Sequence, residues 1–370
     1  MNNPMNRNAN DRYRILDRYI LMKYLKTFLL AMALIIVIVI TFDVSEKLDD
    51  FLGNHAPVGE IILNYYGNFI PQFVNMYSPL FIFISVIFFT SKMAGNTEVI
   101  AILGSGISYK RLLRPYMHGS IIVAIIVFLL GNFVLPTTNK GLDEFEKTYI
   151  KTIRRSYYSS LHFQPQKGVQ VFAEGYDTRQ HSASYFQRDT YDQDLKLVER
   201  FSAQNIQNVD SADLWDCRGV VRHTFVPEES MQRIDFSEEH LKLLPEDFDE
   251  ASTNITTLST PKLISHIKKE KLRGSGAVVQ SKIELYQRLL NPLAIIIMTL
   301  IGVAISSRKT RGGIGMHLAI GISIAFGFIV FMKISTVFAI NGSLMPFLSV
   351  LLPQALFGLA AAYLIKKAPK

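Results

Sequence analysis

The stretch NTEVIAILGSGISYKRLLRP, Asn96 to Pro115, holds the residue pattern most suited to a specific task. It places an acid at Glu98, a small-residue break at Gly104-Ser105-Gly106 and a basic end at Lys110, Arg111 and Arg114. On a helix, Glu98, Ile102 and the backbone near Ser105 share one face, and Val99, Ile100 and Leu103 lie around another. A short helix with an acid near its start and glycines 104 and 106 behind it can insert into a groove on a partner. It can equally be a connector whose acid favours its N-terminus. The residues alone leave both readings open.

Covalent or metal chemistry has little support. No G-x-x-x-x-G-K-[ST] run exists to cradle nucleotide phosphates, and no H-E-x-x-H or paired cysteine motif exists to hold a metal. The glycines at 104–106 and 312–315 lack the strand-before-helix setting of a nucleotide site. Ser, His and Asp occur in the middle of the chain without the spacing of a triad. Cys217 is the only cysteine, so an intrachain disulfide is impossible.

The elements around Asn96–Pro115 are membrane spans. The 370 residues are 49% hydrophobic, and charges mark the gaps between apolar runs. Charge-free runs of 16, 31, 25, 19, 21 and 32 residues follow Lys26, Glu60, Arg114, Arg288, Arg311 and Lys333. A spanning helix needs about 20 apolar residues, so six spans are expected, the first extended by Tyr24 and Leu25 with Lys23 and Lys26 reaching the interface. The segment TFDVSEKLDD after the first run offers no small-residue cleavage site, unlike a signal peptide.

The net charge of +8 is unevenly placed. Residues 137–288 carry 21 Lys+Arg and 23 Asp+Glu, whereas the remainder carries 18 and 8. The excess sits at one set of span ends: the N-terminus, 92–114, 308–311 and the C-terminus. Positive residues favour the cytoplasmic side. Both termini are therefore expected inside and residues 137–288 outside. This topology accounts for the basic balance without nucleic acid.

The middle region reads differently. VQVFAEGY (169–176), SASYFQR (182–188), LKLVERFSA (195–203) and LWDCRGVVRHTF (214–225) are short, alternating segments separated by Asp, Asn and Gly. Their spacing predicts a β-sandwich or jelly roll. The third span is expected to continue helically through TTNKGLDEFEKTYIKTIRR. An amphipathic helix is expected between Ser259-Thr260-Pro261 and Gly274, against the membrane surface or the β-domain.

LDRYI (16–20), NTEVIAILGSGIS (96–108), FVLP (133–136), RLLNPLAIIIMTLIGVAI (288–305) and GISIAFGFIVF (321–331) together resemble the LptF/LptG permease family. These are the membrane subunits of the ABC transporter that exports lipopolysaccharide. The likeness covers almost the whole chain, and the LDRYI start leans toward the LptG member. It implies an α-helical membrane protein with six transmembrane helices and an inserted periplasmic β-jelly-roll domain. Residues 1–136 would form the first membrane half, 137–287 the β-domain with its helical linkers, and 288–370 the second half.

The resemblance further implies that 91–110 is a coupling helix seated on an ABC ATPase dimer of LptB type, with Glu98, Ile102, Gly104 and Gly106 at that contact. The chain would be a non-catalytic subunit of the bacterial inner membrane and bind no cofactor, ATP and Mg being held by the ATPase. Its partners would be the paired LptF or LptG subunit, periplasmic bridge proteins of LptC and LptA type, and lipopolysaccharide. In the family, spans one and five form lateral gates with the partner subunit, which makes Gly315, Gly321 and Gly327 candidates for gate packing; tight packing within this chain is the alternative.

A multi-acyl glycolipid is anchored by about 0.8 kcal/mol per buried CH₂, so its extraction must be driven. Its head group is anionic. Lys333, in GFIVFMKISTVF near the outward end of span five, is the clearest cationic candidate, since intramembrane charges are costly. Lys47 is the lone base in an acidic loop. Lys140, Lys147, Lys151 and Arg154 would form one stripe on the continued third helix, although Asp143 and Glu144 could simply pair with Lys147. The sequence departs from better-known members at VSEKLDDF, where some carry several lysines. Two other readings are a mechanotransmitting subunit of another ABC system, which six spans oppose, and a membrane-tethered periplasmic binding module, which would need a convergent polar site in the β-domain.

Overall fold

The computed structural model describes residues 4–150, 157–177, 180–209, 213–226, 229–245, 247–248, 254–273, 277–308 and 312–367. Helices α1 (Pro4–Gly53), α2 (Val58–Gly95), α3 (Glu98–Gly104) and α4 (Tyr109–Ile150) come first. Six strands follow: β1 (Tyr157–Gln166), β2 (Val169–Asp177), β3 (Ser182–Tyr191), β4 (Leu197–Asn208), β5 (Leu214–Thr224) and β6 (Ser230–His240). Helices α5 (Thr260–Arg273), α6 (Ala277–Ser306), α7 (Gly313–Ile340) and α8 (Pro346–Lys366) complete the order.

Six helices are long and apolar enough to cross a membrane, as the charge-free runs predict: α1, α2, α4, α6, α7 and α8. The 39 residues Ile15–Gly53 of α1 reach about 58 Å at 1.5 Å per residue, nearly twice a hydrocarbon thickness of about 30 Å. The third span continues through Gly141 to Ile150, as expected, and the remainder of the expected continuation, 151–155, lies outside the described residues. Two compact units divide the chain: residues 1–46, 66–139 and 282–370, and residues 47–65 and 140–281. The last turns of α1 and the first of α2 thus belong with the inserted domain.

In the first unit, α2 joins two apolar clusters. Phe81, Ile82, Val86, Phe89 and Met93 pack with Ile20, Tyr24 and Phe28 of α1, Leu112, Tyr116 and Val123 of α4, and Ile295 and Val303 of α6. Phe83 and Ile87, on its other side, meet Met298 and Ile301 of α6, Ala325 and Phe328 of α7, and Ala361 of α8. Hydroxyls tie the spans together: Tyr24 with Thr299 (3.3 Å), Thr90 with Tyr116 (2.9 Å) and Ser91 with His317 Nδ1 (2.7 Å). A Cβ on Gly119 would overlap the Tyr24 ring, so the absence of a side chain there lets α4 approach α1.

The second unit holds one antiparallel sheet in the order β1-β2-β3-β4-β5-β6. This simple meander lacks the crossovers of a two-sheet sandwich among the described strands, yet it encloses a core by bending. Four strands bury two residues three apart where alternation would give two: Ala173/Tyr176, Ala183/Phe186, Ala203/Ile206 and Cys217/Val220. Register aligns these slips. Ala173 pairs with Phe186 and Phe186 with Ala203; Tyr176 pairs with Ala183, Ala183 with Ile206 and Ile206 with Cys217. At the slip, Tyr185 (φ 48) and Gly219 (φ 63) adopt left-handed backbone. Pairing keeps constant register through these positions, so no strand carries an extra residue against its neighbour; the strands kink together where their in–out alternation breaks.

The bend brings distant strands together. Phe248 lies 5.1 Å from the Phe163 ring of β1 and 5.4 Å from Trp215 of β5. In a flat sheet, four strand spacings of about 4.8 Å would part β1 and β5 by about 19 Å. The crossing segment is fixed by polar bonds: Trp215 Nε1 donates to the Leu243 carbonyl (2.8 Å), and the Tyr176 hydroxyl to that of Pro245 (3.4 Å). The concave side also carries charge. Arg188 and Arg222 flank the Phe201 ring at 5.6 and 5.7 Å and both pair with Glu199. Helix α5 packs against edge strand β1 with Leu263 fully buried, which settles its placement within this unit; β6, at the other edge, is largely exposed.

This packing has measurable consequences. Phe248→Ala should destabilise the β-domain by about 3–5 kcal/mol. Cys217 reports it: burial pushes that thiol up to about 12, so native protein at pH 8 should resist maleimide and the variant should label readily. The raised value also means that ionisation at higher pH favours the unfolded chain, eroding stability from pH about 9 upward. Gly119→Ala should lower thermal stability in detergent by about 1–3 kcal/mol, whereas Gly327→Ala, with nothing within 4 Å of its Cβ, should change it little.

Candidate functional site

The short helix α3 spans only Glu98–Gly104, narrower than the expected 91–110, because α2 runs to Gly95 and α4 begins at Tyr109. Neither junction is helical. Thr97 stands at φ 62, a left-handed conformation that a β-branched residue adopts only under constraint, and Gly106 at φ 87. Ser108 then caps α4, its hydroxyl accepting from Arg111 N.

One side of α3 faces inward. Val99 is buried in the same apolar cluster as Ile20 and Tyr24, with Ile102 and Leu103 packed against it. Ile102 is therefore an anchor within this chain, and the exposed apolar residue is Ile100, 55% accessible, beside exposed Ala101, Gly104 and Gly106. Sequence periodicity groups Ile100 with Val99 and Leu103; the junctions at Thr97 and Gly106 orient the helix so that Ile100 points out. Glu98 is half-buried. Its Oε2 accepts from the Tyr19 hydroxyl at 3.3 Å, and its Oε1 from Asn96 Nδ2 at 3.3 Å.

The cationic candidates divide. Lys333 is exposed on α7 and has no ion pair among the described residues. It lies on a stripe with exposed Phe326, Ile329 and Val337, seven residues before the helix ends at Ile340. Lys47 instead donates to the Tyr65 hydroxyl and sits 4.7 Å from that ring's centroid. Tyr65 packs edge-on with Phe51 at 5.5 Å and against Phe145 at 5.3 Å, so Lys47 caps an aromatic cluster joining α1, α2 and α4. Lys147 pairs with Asp143 (2.7 Å) and Lys140 with Glu144 (3.8 Å) along one helix. Lys151 and Arg154 lie outside the described residues.

The glycines of α7 also differ. Gly321 packs inside this chain, where a Cβ would overlap Ile87. Gly315 and Gly327 have nothing within 4 Å. Helices α1 and α7 are the least covered spans, 11% and 22% buried in their apolar windows against 50% for α2 and 56% for α6.

Three features had no sequence signal. Arg111 donates through both terminal nitrogens to both oxygens of Asp17, at 2.8 and 2.7 Å. Tyr19 reaches Glu98, 79 positions away. Phe248 fills the bend of the sheet, reaching both β1 and β5. Among the described residues no cluster of His, Cys, Asp and Glu could hold a metal ion.

No curated protein matches this chain. The profile of the lipopolysaccharide export system permease LptF/LptG matches residues 18–367. With that coverage, the chain belongs to the LptF/LptG family, the membrane permeases of lipopolysaccharide export.

Proposed function

We propose that this chain is one of two permease subunits of an ABC transporter that lifts lipopolysaccharide out of the bacterial inner membrane and passes it toward the periplasm. Catalysis belongs to a partner ATPase dimer, which holds ATP and Mg; this chain transmits motion. Basic span ends favour cytoplasmic termini and a cytoplasmic α3, which leaves the β-domain in the periplasm.

The observation that carries the reading is the two-sidedness of α3. Its inner face is fastened into the span core by Val99, while Ile100, Ala101 and Gly104 stay exposed. A helix anchored behind and bare in front, with glycines that permit close approach, suits the groove of a docked ATPase. Glu98 sits at the rim of that surface, where it would add a charge contact.

The sparsely covered faces of α1 and α7 suit a paired LptF or LptG subunit, with Gly315 and Gly327 at close contacts and Gly321 reserved for internal packing. Between the two subunits, Lys333 would meet the anionic head group of the lipid. The concave side of the β-domain is apolar enough to shield acyl chains, and in the state described the chain's own Phe248 occupies it. The exposed edge of β6, with Met231 and Phe236 outward, suits strand addition by a bridge protein of LptC or LptA type.

Two measurements test this. Glu98→Lys and Ile100→Asp should each reduce co-purification of the ATPase about tenfold or more; full retention with both would sink the docking assignment. Lys333→Ala should lower lipid-stimulated ATP hydrolysis in the reconstituted complex about threefold or more at unchanged ATPase content. Unaltered stimulation and crosslinking to lipid would remove Lys333 from the path.

A further inference from the structure

Docking through the outer face of α3 leaves the LDRYI stretch unused, since residues 16–20 lie on α1. Their contacts assign them a task that rests on the coupling reading. Helix α3 is broken from α2 at Thr97 and from α4 at Gly106. A push on α3 therefore cannot travel along continuous helix. It must leave through side-chain contacts.

Those contacts converge on the start of α1. At the front of α3, the Tyr19 hydroxyl donates to Glu98 Oε2 at 3.3 Å and accepts from Lys23 Nζ at 2.7 Å. Lys23 also lies 4.4 Å from the Tyr19 ring centroid, so the phenol is held from one turn further along. Just beyond the rear junction, Arg111 grips Asp17 with two parallel bonds, a planar match that lysine cannot reproduce. Ile20 and Val99 lie in one apolar cluster between the two polar contacts. The rear contact is partly buried, with the Arg111 and Asp17 side chains 20% and 29% accessible, whereas the Tyr19 contact at the front is exposed.

We propose that LDRYI is a two-point latch fastening the ATPase-docked helix to the first span, with Tyr19 and Asp17 as positioning residues. The latch makes α1, the least covered span, move with α3. Neither residue needs to touch the ATPase or the lipid. Arg18, between them, has no part in the latch.

The test uses the complete reconstituted complex. Tyr19→Phe removes the hydroxyl and keeps the ring; Asp17→Asn removes one charge at constant size. Lipid extracted per ATP hydrolysed should fall about threefold for Tyr19→Phe and about tenfold for Asp17→Asn. The exchange Asp17→Arg with Arg111→Asp should recover at least half of the loss, which a merely destabilised fold would not. An unchanged lipid-to-ATP ratio in both single variants, or an exchange no better than Asp17→Asn, overturns the latch. Loss of the ATPase on Ile100→Asp with an unaffected ratio in the latch variants overturns the latch alone. Retention of the ATPase with both Ile100→Asp and Glu98→Lys overturns the docking on which it rests.

Discussion

Hydrocarbon gives apolar helix faces no reason to prefer one another over lipid, and the arrangement of the first unit depends on that constraint. Its spans are joined by shape and by hydroxyl contacts. The ring of Tyr24 fills the space that Gly119 leaves, and its hydroxyl meets Thr299 on α6. Thr90 and Ser91 point from α2 to opposite neighbours, Tyr116 on α4 and His317 on α7. Each contact exists only when the two helices are in register. Helix α2 takes part in two of them and in both apolar clusters, so it is the member around which the others are fixed. Helices α1 and α7 retain broad unclaimed faces.

The second unit obeys the opposite rule. Its core is driven by burial of Trp215, Phe186, Phe201, Tyr176 and Phe248, all fully or nearly fully withdrawn from solvent. A flat six-stranded sheet has too little closure to hide such rings. A break in the in–out alternation, aligned across four strands, bends it until a single phenylalanine touches both flanks. Of its two edges, β1 is packed by α5 while β6 is bare, an asymmetry that directs any strand addition to one side.

Within the first unit, α3 is short, broken at both ends and anchored by Val99. Left-handed backbone at Thr97 is a local cost, offset where the chain must turn twice within a few residues. The same turn rotates Ile100 outward and Ile102 inward. An exposed face and a mount for the span core thus share seven residues.

The sequence by itself determined the number and rough limits of the spans, because a hydrocarbon slab demands long charge-free runs. It also determined the inserted β-domain, since VQVFAEGY and LWDCRGVVRHTF alternate as strands do, and the α5 limits at Thr260 and Arg273 from their start and stop signals. Strands β1 and β6 carry little local signal because YYSSLHFQPQ and SMQRIDFSEEH are polar edge strands without strong alternation. The family was legible from ordered motifs, whereas the direction of Ile102 was not, because helical periodicity fixes relative angles and leaves the absolute orientation to the junctions. Only the tertiary structure decided that Lys47 caps Tyr65, that Gly321 is internal while Gly327 is open, and that Asp17 meets Arg111. Contacts between residues tens to hundreds of positions apart depend on how helices rotate and cross, and local composition carries no record of that.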